Sequence, residues 1–472
     1  MWTRAGQAPP LHGSAGHRLP WTPLRRVAQN PPCAGTSQLQ RDRTRTDVSY
    51  SLSPVYGAPG PLRREARELP LSSPSLSSAG PASGRLLRLL AIGTDPSLIH
   101  SADTAFGDAH QRQLQYASIL EQYRMIVRTV GGDRRAIPHG PNFVVHPSAS
   151  RNRGAFTHDA YLIGSALHRR FGFDLVSTED PMLCGLAGLL LRTRLGLPLS
   201  VQIAGDMIDN PYWMRERRIN PLLNRIGRWL VRSADSVRVV SERERSKMVS
   251  LGVAPERVSN LGWIADFRRF DEIDHASARQ LRADLLGSDG KLLLLFVGRL
   301  VLQKDIPTLL RSMATVAAHR PDARLVIAGD GPERGLAERL VDELGIRNVV
   351  RFLGIVPYPD VPRHFAAADL FLLPSRYEGN ARVLAEAGAA GTPSVTTDVS
   401  GAHDTVLEGA TGAIVPVERP DLFAERVLTL LERAADLPEM GARAGEHVRS
   451  LYAAETLLPA FEQFWRQTAA RR

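Results

Sequence analysis

From Leu292 to Val415 the chain alternates short apolar runs with longer amphipathic stretches. Six of the runs are predicted strands: Leu292–Val297, Arg324–Ala328, Val349–Leu353, Leu370–Leu373, Ser394–Thr397 and Ala413–Val415. Short apolar runs bounded by turn signals suit strands buried on both faces, and helical stretches between them imply right-handed parallel crossovers. The preceding half has the same rhythm less sharply. Leu89–Gly93, Phe143–Val145, Asp174–Ser177, Leu199–Ile203 and Val237–Val240 are predicted strands, with a helix from about His110 to Tyr123. Met182–Leu191 is very apolar but only about half a bilayer span, which makes it a buried helix. Ser241-Glu242-Arg243-Glu244 has the spacing of a capping box. Phe267–Asp289 is charged and lacks strand character, so the hinge between the halves is expected there. Two helices are expected after Pro420, the last around Leu457–Trp465.

The pattern predicts an α/β protein with two doubly wound parallel sheets facing across a cleft, a common place for a ligand. The first domain is expected over residues 86–270 and the second over 285–452. Residues 453–472 are expected to form a helix returning to the first domain.

Composition changes this picture at one end. Residues 1–85 hold eleven Arg and four acids among many Pro, Ser and Gly, without sustained periodicity. A basic disordered tail is predicted, because such a segment buries too little apolar surface to order itself. A start codon placed too far upstream, a functional basic arm and an organelle transit peptide give the same composition. The tail lacks an apolar run of secretory length. It carries most of the net charge of +10, and the remaining 387 residues carry only +3. Charge therefore gives no reason to expect a nucleic-acid partner. Cys33 and Cys184 offer neither metal-ligand spacing nor a disulfide framework, so no metal is expected and a reducing cytoplasm is. Lysine occurs only at Lys247, Lys291 and Lys304, against 56 arginines.

The candidate chemistry lies where strands of the second half hand over to helices. Val297-Gly298-Arg299-Leu300-Val301-Leu302-Gln303-Lys304 lacks the Gly-x-Gly-x-x-Gly of a dinucleotide turn. Two cations stand there, as a departing nucleoside diphosphate would need; two solvated surface cations would look the same. Downstream, Gly379 permits a tight turn, and the backbone N–H groups of Asn380, Ala381 and Arg382 would form a helix start that favours phosphate. Glu378 precedes that helix and Glu386 lies two turns inside it. Carboxylates accept paired hydroxyls, so a ribose and a hexose are natural targets. Two Glu at this spacing also occur by chance; the ordered set of Arg, Lys and two Glu is more specific.

That order of parts resembles the retaining glycosyltransferases of family 4, which have the GT-B fold of two Rossmann-like domains. Ala328-Gly329-Asp330-Gly331-Pro332, Phe352-Leu353-Gly354, Ala368-Asp369-Leu370 and Gly391-Thr392-Pro393 continue the likeness. The resemblance implies metal-independent transfer of a sugar from a nucleotide donor, which is a co-substrate, with no cofactor. It implies that Arg299 and Lys304, beside Gly298, hold the diphosphate. Glu386 would bind ribose, Glu378 the transferred sugar, and Gly354 the base pocket, while Gly329–Pro332 would be turn structure. Gly107-Asp108 with Arg112 matches the loop that approaches donor phosphates. Val201–Asp206 matches a segment where many relatives carry a His, and here the residue is Ala204. Asp206 is either a compensating polar group or a helix cap.

A front-face substitution needs no protein nucleophile; in a double displacement Asp206 would be the candidate. The helix expected from about Glu216 to Ser233 sets five apolar residues against five arginines, which suits either a core helix or one lying on an anionic membrane. The reading is a retaining transferase acting on a saccharide or lipid-linked acceptor, in assembly of a bacterial surface polysaccharide or glycolipid. It would be cytoplasmic, either free or peripheral at the inner face of the plasma membrane. An inactive sugar-nucleotide-binding homologue and a nucleotide-sugar epimerase are the alternatives.

Overall fold

The computed structural model describes residues 84–99 and 109–471. Most of the expected tail, together with Gly107 and Asp108, lies outside the described residues. The first lobe opens with β1 (Leu87–Gly93), α1 (Ala109–Ser118), β2 (Leu120–Val127), β3 (Ile137–Pro138) and β4 (Phe143–Pro147). It continues through α2 (Phe156–Phe171), β5 (Leu175–Thr178), α3 (Leu183–Leu195) and β6 (Leu199–Ile203). Then come α4 (Pro211–Glu216), α5 (Asn220–Ser233), β7 (Ser236–Val239), α6 (Glu242–Ser250) and β8 (Val258–Asn260). These strands form one sheet in the order β3-β4-β2-β1-β5-β6-β7-β8, parallel except for β3.

Successive side chains of β1 point to opposite faces of that sheet. Leu90 and Ile92 enter a core with α2 and α3, while Leu89 and Ala91 enter a second core with α1 and the C-terminal helix. Both faces are covered, which explains the near-continuous apolar strands.

The helix expected to reach Tyr123 stops at Ser118, and Leu120–Val127 is a strand. Its residues suit either state locally. Pairing with β1 on one side and β4 on the other decides for the strand.

Short α7 (Arg268–Asp271) and α8 (His275–Leu286) occupy the expected hinge. Phe267, Phe270 and Leu285 are buried in the second lobe's core, so much of this segment is packed structure rather than free linker. The second sheet is built from β9 (Leu292–Val297), β10 (Ala323–Ala328), β11 (Val350–Gly354), β12 (Leu370–Leu373), β13 (Ser394–Thr397) and β14 (Gly412–Val415). Between them lie α9 (Ile306–His319), α10 (Arg334–Glu343), α11 (Val361–Ala367), α12 (Arg382–Ala389) and α13 (Ala402–Thr405). The order β11-β10-β9-β12-β13-β14 is all parallel.

Three α-helices follow, not two: α14 (Pro420–Glu432), α15 (Leu437–Tyr452) and α16 (Ala454–Ala469). Leu457, Phe461, Phe464 and Trp465 form one stripe of α16 and are buried against the first sheet. Tyr116 of α1 meets Phe461 and Trp465 there, with ring centroids 4.7 and 5.6 Å apart.

Candidate active site

The second sheet reverses its strand order between β9 and β12. A crevice opens outside the carboxyl ends of strands at such a switch point. The turn after β9 carries Gly298, Arg299 and Lys304, and the turn after β12 carries Glu378, Gly379, Asn380 and Ala381. Two sequence segments about 75 residues apart therefore share one crevice because their strands are neighbours.

Within it, Lys304 Nζ lies 2.5 Å from Glu378 Oε1. Ser375 Oγ donates to the same oxygen at 2.7 Å, and Gln303 Nε2 donates to Oε2 at 3.2 Å and to the Tyr377 carbonyl at 2.9 Å. Glu378 is only 7% exposed, so a cation rather than bulk water balances its charge. The two residues expected to grip different parts of a donor thus pair with each other. Arg299 is exposed and forms no ion pair with a described residue. Behind the turn, an added Cβ on Gly329 would lie 1.9 Å from the Gly298 carbonyl oxygen, so Gly329 lets the β10 turn back this one directly. Gly354 ends β11 with φ 73°, and its carbonyl accepts from the Gly329 N–H at 2.7 Å.

Helix α12 is preceded by Ala381 at its N-cap, which offers no side-chain cap and leaves the first N–H groups without a side-chain acceptor. Glu386 lies farther along it, and the Tyr358 hydroxyl donates to Glu386 Oε1 at 3.2 Å. Glu386, Tyr358 and Arg382 line a concavity with Trp263, Asp266 and Tyr452. A carboxylate among aromatic rings can accept paired hydroxyls and stack a planar group.

The first lobe closes on this site. Gly379 is needed for proximity: an added Cβ would lie 2.2 Å from the Ala204 carbonyl oxygen and 2.5 Å from Gly205 Cα. The residue standing where a His was expected thus presents its backbone to the turn of the other lobe. Tyr377 Oη donates to Glu216 Oε1 at 2.5 Å; burial, then this carboxylate, push the phenol pKa well up. The Asn380 side chain donates to the Val240 carbonyl at 3.0 Å and to the Tyr452 hydroxyl at 2.9 Å.

Asp206 follows β6 and is not a helix cap; Asn210 caps α4 by accepting from the Tyr212 and Trp213 N–H groups. Asp206 Oδ1 accepts from Lys247 Nζ, and Oδ2 accepts from Asn210 Nδ2 at 2.9 Å. Both oxygens are engaged, which blunts Asp206 as a nucleophile. Lys247 also lies 2.7 Å from Glu244 Oε1. The expected capping box is therefore half formed: Ser241 accepts from the Glu244 N–H, but the Glu244 side chain turns to Lys247. Burial, then the neighbouring Asp206 carboxylate, raise the Glu244 pKa to about 7. Burial disfavours the Lys247 charge, but Glu244 and Asp206 outweigh it and raise that pKa.

Sequence reasoning missed Gln303, Ser375, Tyr358, Lys247 and the Asn380 side chain. Only the shortage of lysine pointed to any of them: of three in the chain, Lys247 and Lys304 pair with buried carboxylates.

Residues 277–449 match the family model for glycosyl transferases group 1, and residues 122–262 match that for a glycosyl transferase 4-like domain. The chain is 32% identical over 274 residues to alpha-D-kanosaminyltransferase of Streptomyces kanamyceticus, across 57% of this chain and 70% of that one. It is 34% identical over 306 residues to D-inositol 3-phosphate glycosyltransferase 2 of Catenulispora acidiphila, across 62% and 70%. A solved sucrose-phosphate synthase of Thermosynechococcus elongatus superposes with a TM-score of 0.68 at 23% identity, covering 82% of this chain and 100% of its own. HepE of Anabaena in complex with UDP and glucose gives 0.65 at 17% identity, covering 80% and 99%.

Proposed function

The chain belongs to the glycosyl transferases group 1, and from that premise we propose that it moves a sugar, with retention at the anomeric carbon, from a nucleotide-sugar donor to a hydroxyl acceptor. One observation carries the reading: Lys304, Glu378 and the uncapped start of α12 converge at the switch point of the second sheet. Arg299 and Lys304 hold the diphosphate, and the α12 N–H groups share its charge. Glu378, released from Lys304 as phosphate takes its place, accepts hydroxyls of the transferred sugar. Glu386 and Tyr358 take the ribose, against the aromatic wall that includes Trp263.

In the transfer, the bond from C1 to the leaving phosphate oxygen breaks. The acceptor oxygen bonds C1 on the same face, and its proton passes to that phosphate oxygen. Stabilising the charge that develops on the diphosphate is the main catalytic term. The proposed acceptor is a saccharide or lipid-linked one, in surface polysaccharide or glycolipid assembly. Glycosyl transfer itself is the activity class that the relatives' names share.

Ala204 favours a second reading, an inactive donor-binding homologue, since its methyl group offers no hydrogen bond. Incubation with labelled nucleotide sugars distinguishes the two: transfer or slow hydrolysis supports the transferase, and tight binding without turnover supports the inactive homologue. Glu386→Ala should weaken donor binding about 10- to 100-fold by calorimetry, the loss expected for hydrogen bonds to a charged group. Unchanged affinity would remove Glu386 from the ribose site.

A further inference from the structure

Helix α5 has two differently made faces. Leu230, Val231 and Gly227 are buried in the first lobe, and Asn224 Nδ2 donates to Asp209 Oδ1 at 2.8 Å. The opposite face is open to solvent, yet it carries large apolar side chains. Ile219 is 51% exposed, Leu222 53% and Trp229 49%. Arg218, Arg225 and Arg232 are interleaved with them at helical spacing and are also exposed.

The charge is one-sided. From Arg217 to Ser233 there are five arginines and no carboxylate, a local +5 in a portion of chain, residues 86–472, that totals only +3. Among the described residues, only Arg228 of the five has an ion pair, with Asp209 at 3.1 Å. Half-exposed Leu, Ile and Trp set among unpaired arginines match the two layers of an anionic lipid surface: headgroup phosphates outside and acyl chains beneath. A polyanion alone would leave the apolar side chains in water, and a neutral apolar partner would leave the guanidinium groups unmatched. No helix of the described residues is long and apolar enough to cross a membrane, so the contact is peripheral.

We propose that the outer face of α5 seats this protein on a membrane rich in anionic lipid. The site lies close by. Glu216, which accepts from Tyr377 beside Glu378, is three residues from Ile219. Asp209, tied to Asn224 and Arg228 of α5, is three residues beyond Asp206. The seated helix thereby brings the cleft next to the headgroups, where a lipid-linked acceptor presents its hydroxyl. This purpose rests on the transferase reading; the surface itself does not.

The test is sedimentation of the full chain with vesicles of phosphatidylcholine, with and without 30% phosphatidylglycerol. All variants retain the arginine-rich residues 1–85, so differences report on α5. Binding to the anionic vesicles that weakens with salt is expected. Leu222→Ser with Trp229→Ser should lower the partition coefficient at least about tenfold. Arg218→Ala with Arg225→Ala should lower it about 25-fold, roughly fivefold per arginine. Donor hydrolysis in vesicle-free solution should be unchanged in both pairs. Equal binding to both vesicle types, no binding, or full binding by the serine pair would overturn the proposal. So would loss in the arginine pair alone, which would mark a polyanion site. Hydrolysis without vesicle binding would sink the surface and leave the transferase standing; vesicle binding without any turnover would do the reverse.

Discussion

Arg299 and Lys304 occupy one turn but stand in different electrostatic settings, and that difference can be measured. Lys304 neutralises a buried carboxylate, whereas Arg299 is exposed and has no ion pair among the described residues. Removing one partner of a buried pair commonly costs about 3–5 kcal/mol. Lys304→Ala is therefore expected to lower the melting temperature by several degrees, and Arg299→Ala to leave it within about one degree. Both should reduce turnover, by about 100-fold for loss of a donor aimed at developing charge. Equal melting temperatures, by differential scanning calorimetry, would contradict the Lys304–Glu378 pair. The residue types of this site were legible in the sequence because cations, glycine and carboxylates follow apolar runs. The pairing was not. Lys304 and Glu378 are 74 positions apart, and only the adjacency of β9 and β12 brings them together.

Among elements, strands were more legible than the pieces joining them. Leu292–Val297 and Leu370–Leu373 are apolar throughout, Ser394–Thr397 is rich in β-branched Val and Thr, and all three are flanked sharply enough by Gly, Pro or Asp to fix their own ends. Leu120–Val127 is not: its helix formers Leu, Glu, Gln and Met are mixed with the strand formers Tyr, Ile and Val, and pairing with the neighbouring strands decides between them. Residues 267–286 were obscured by their charge, although Phe267, Phe270, Ala278 and Leu285 are buried. Gly379 shows the same limit. Its glycine was visible as a turn, but its reason is the carbonyl of Ala204 across the cleft. Gly379→Ala should force the β12 turn and the β6 turn apart. An activity loss of about 100-fold, with donor affinity reduced less, is the expected result of displacing a reacting group by an ångström. Full activity in steady-state assays would show that this approach is dispensable.

For the whole molecule, two buried carboxyls have pKa values raised to about 7: Glu179 inside the first lobe and Glu244 where the lobes meet. Ser241 and Ser400 hydroxyls lie 2.7 Å apart, and the Glu242 N–H donates to Asp404 Oδ2 at 3.1 Å. Buried Glu244 lies beneath this seam with its pKa raised from 4.5 to about 7. A carboxyl whose folded pKa is raised binds more protons folded than unfolded. Its contribution is fully present below about pH 4.5 and is lost as pH rises through about 7. Denaturant titrations at pH 5, 6, 7 and 8 should show stability falling across this window, with Glu179 and Glu244 both contributing, so Glu244→Gln should flatten part of the fall. A variant as steep as the parent would remove Glu244 from the titration.

The last helix has a consequence for any attempt to divide this protein. Arg466 reaches the Arg85 carbonyl at 3.1 Å, and Phe461 with Trp465 fills the space above Tyr116, so the final residues complete the hydrophobic interior of the opening ones. A gene split near Glu272 would give a front fragment with that aromatic face bare and a back fragment carrying its cover. Neither half would be a self-sufficient module, and soluble material is to be sought by producing the two together.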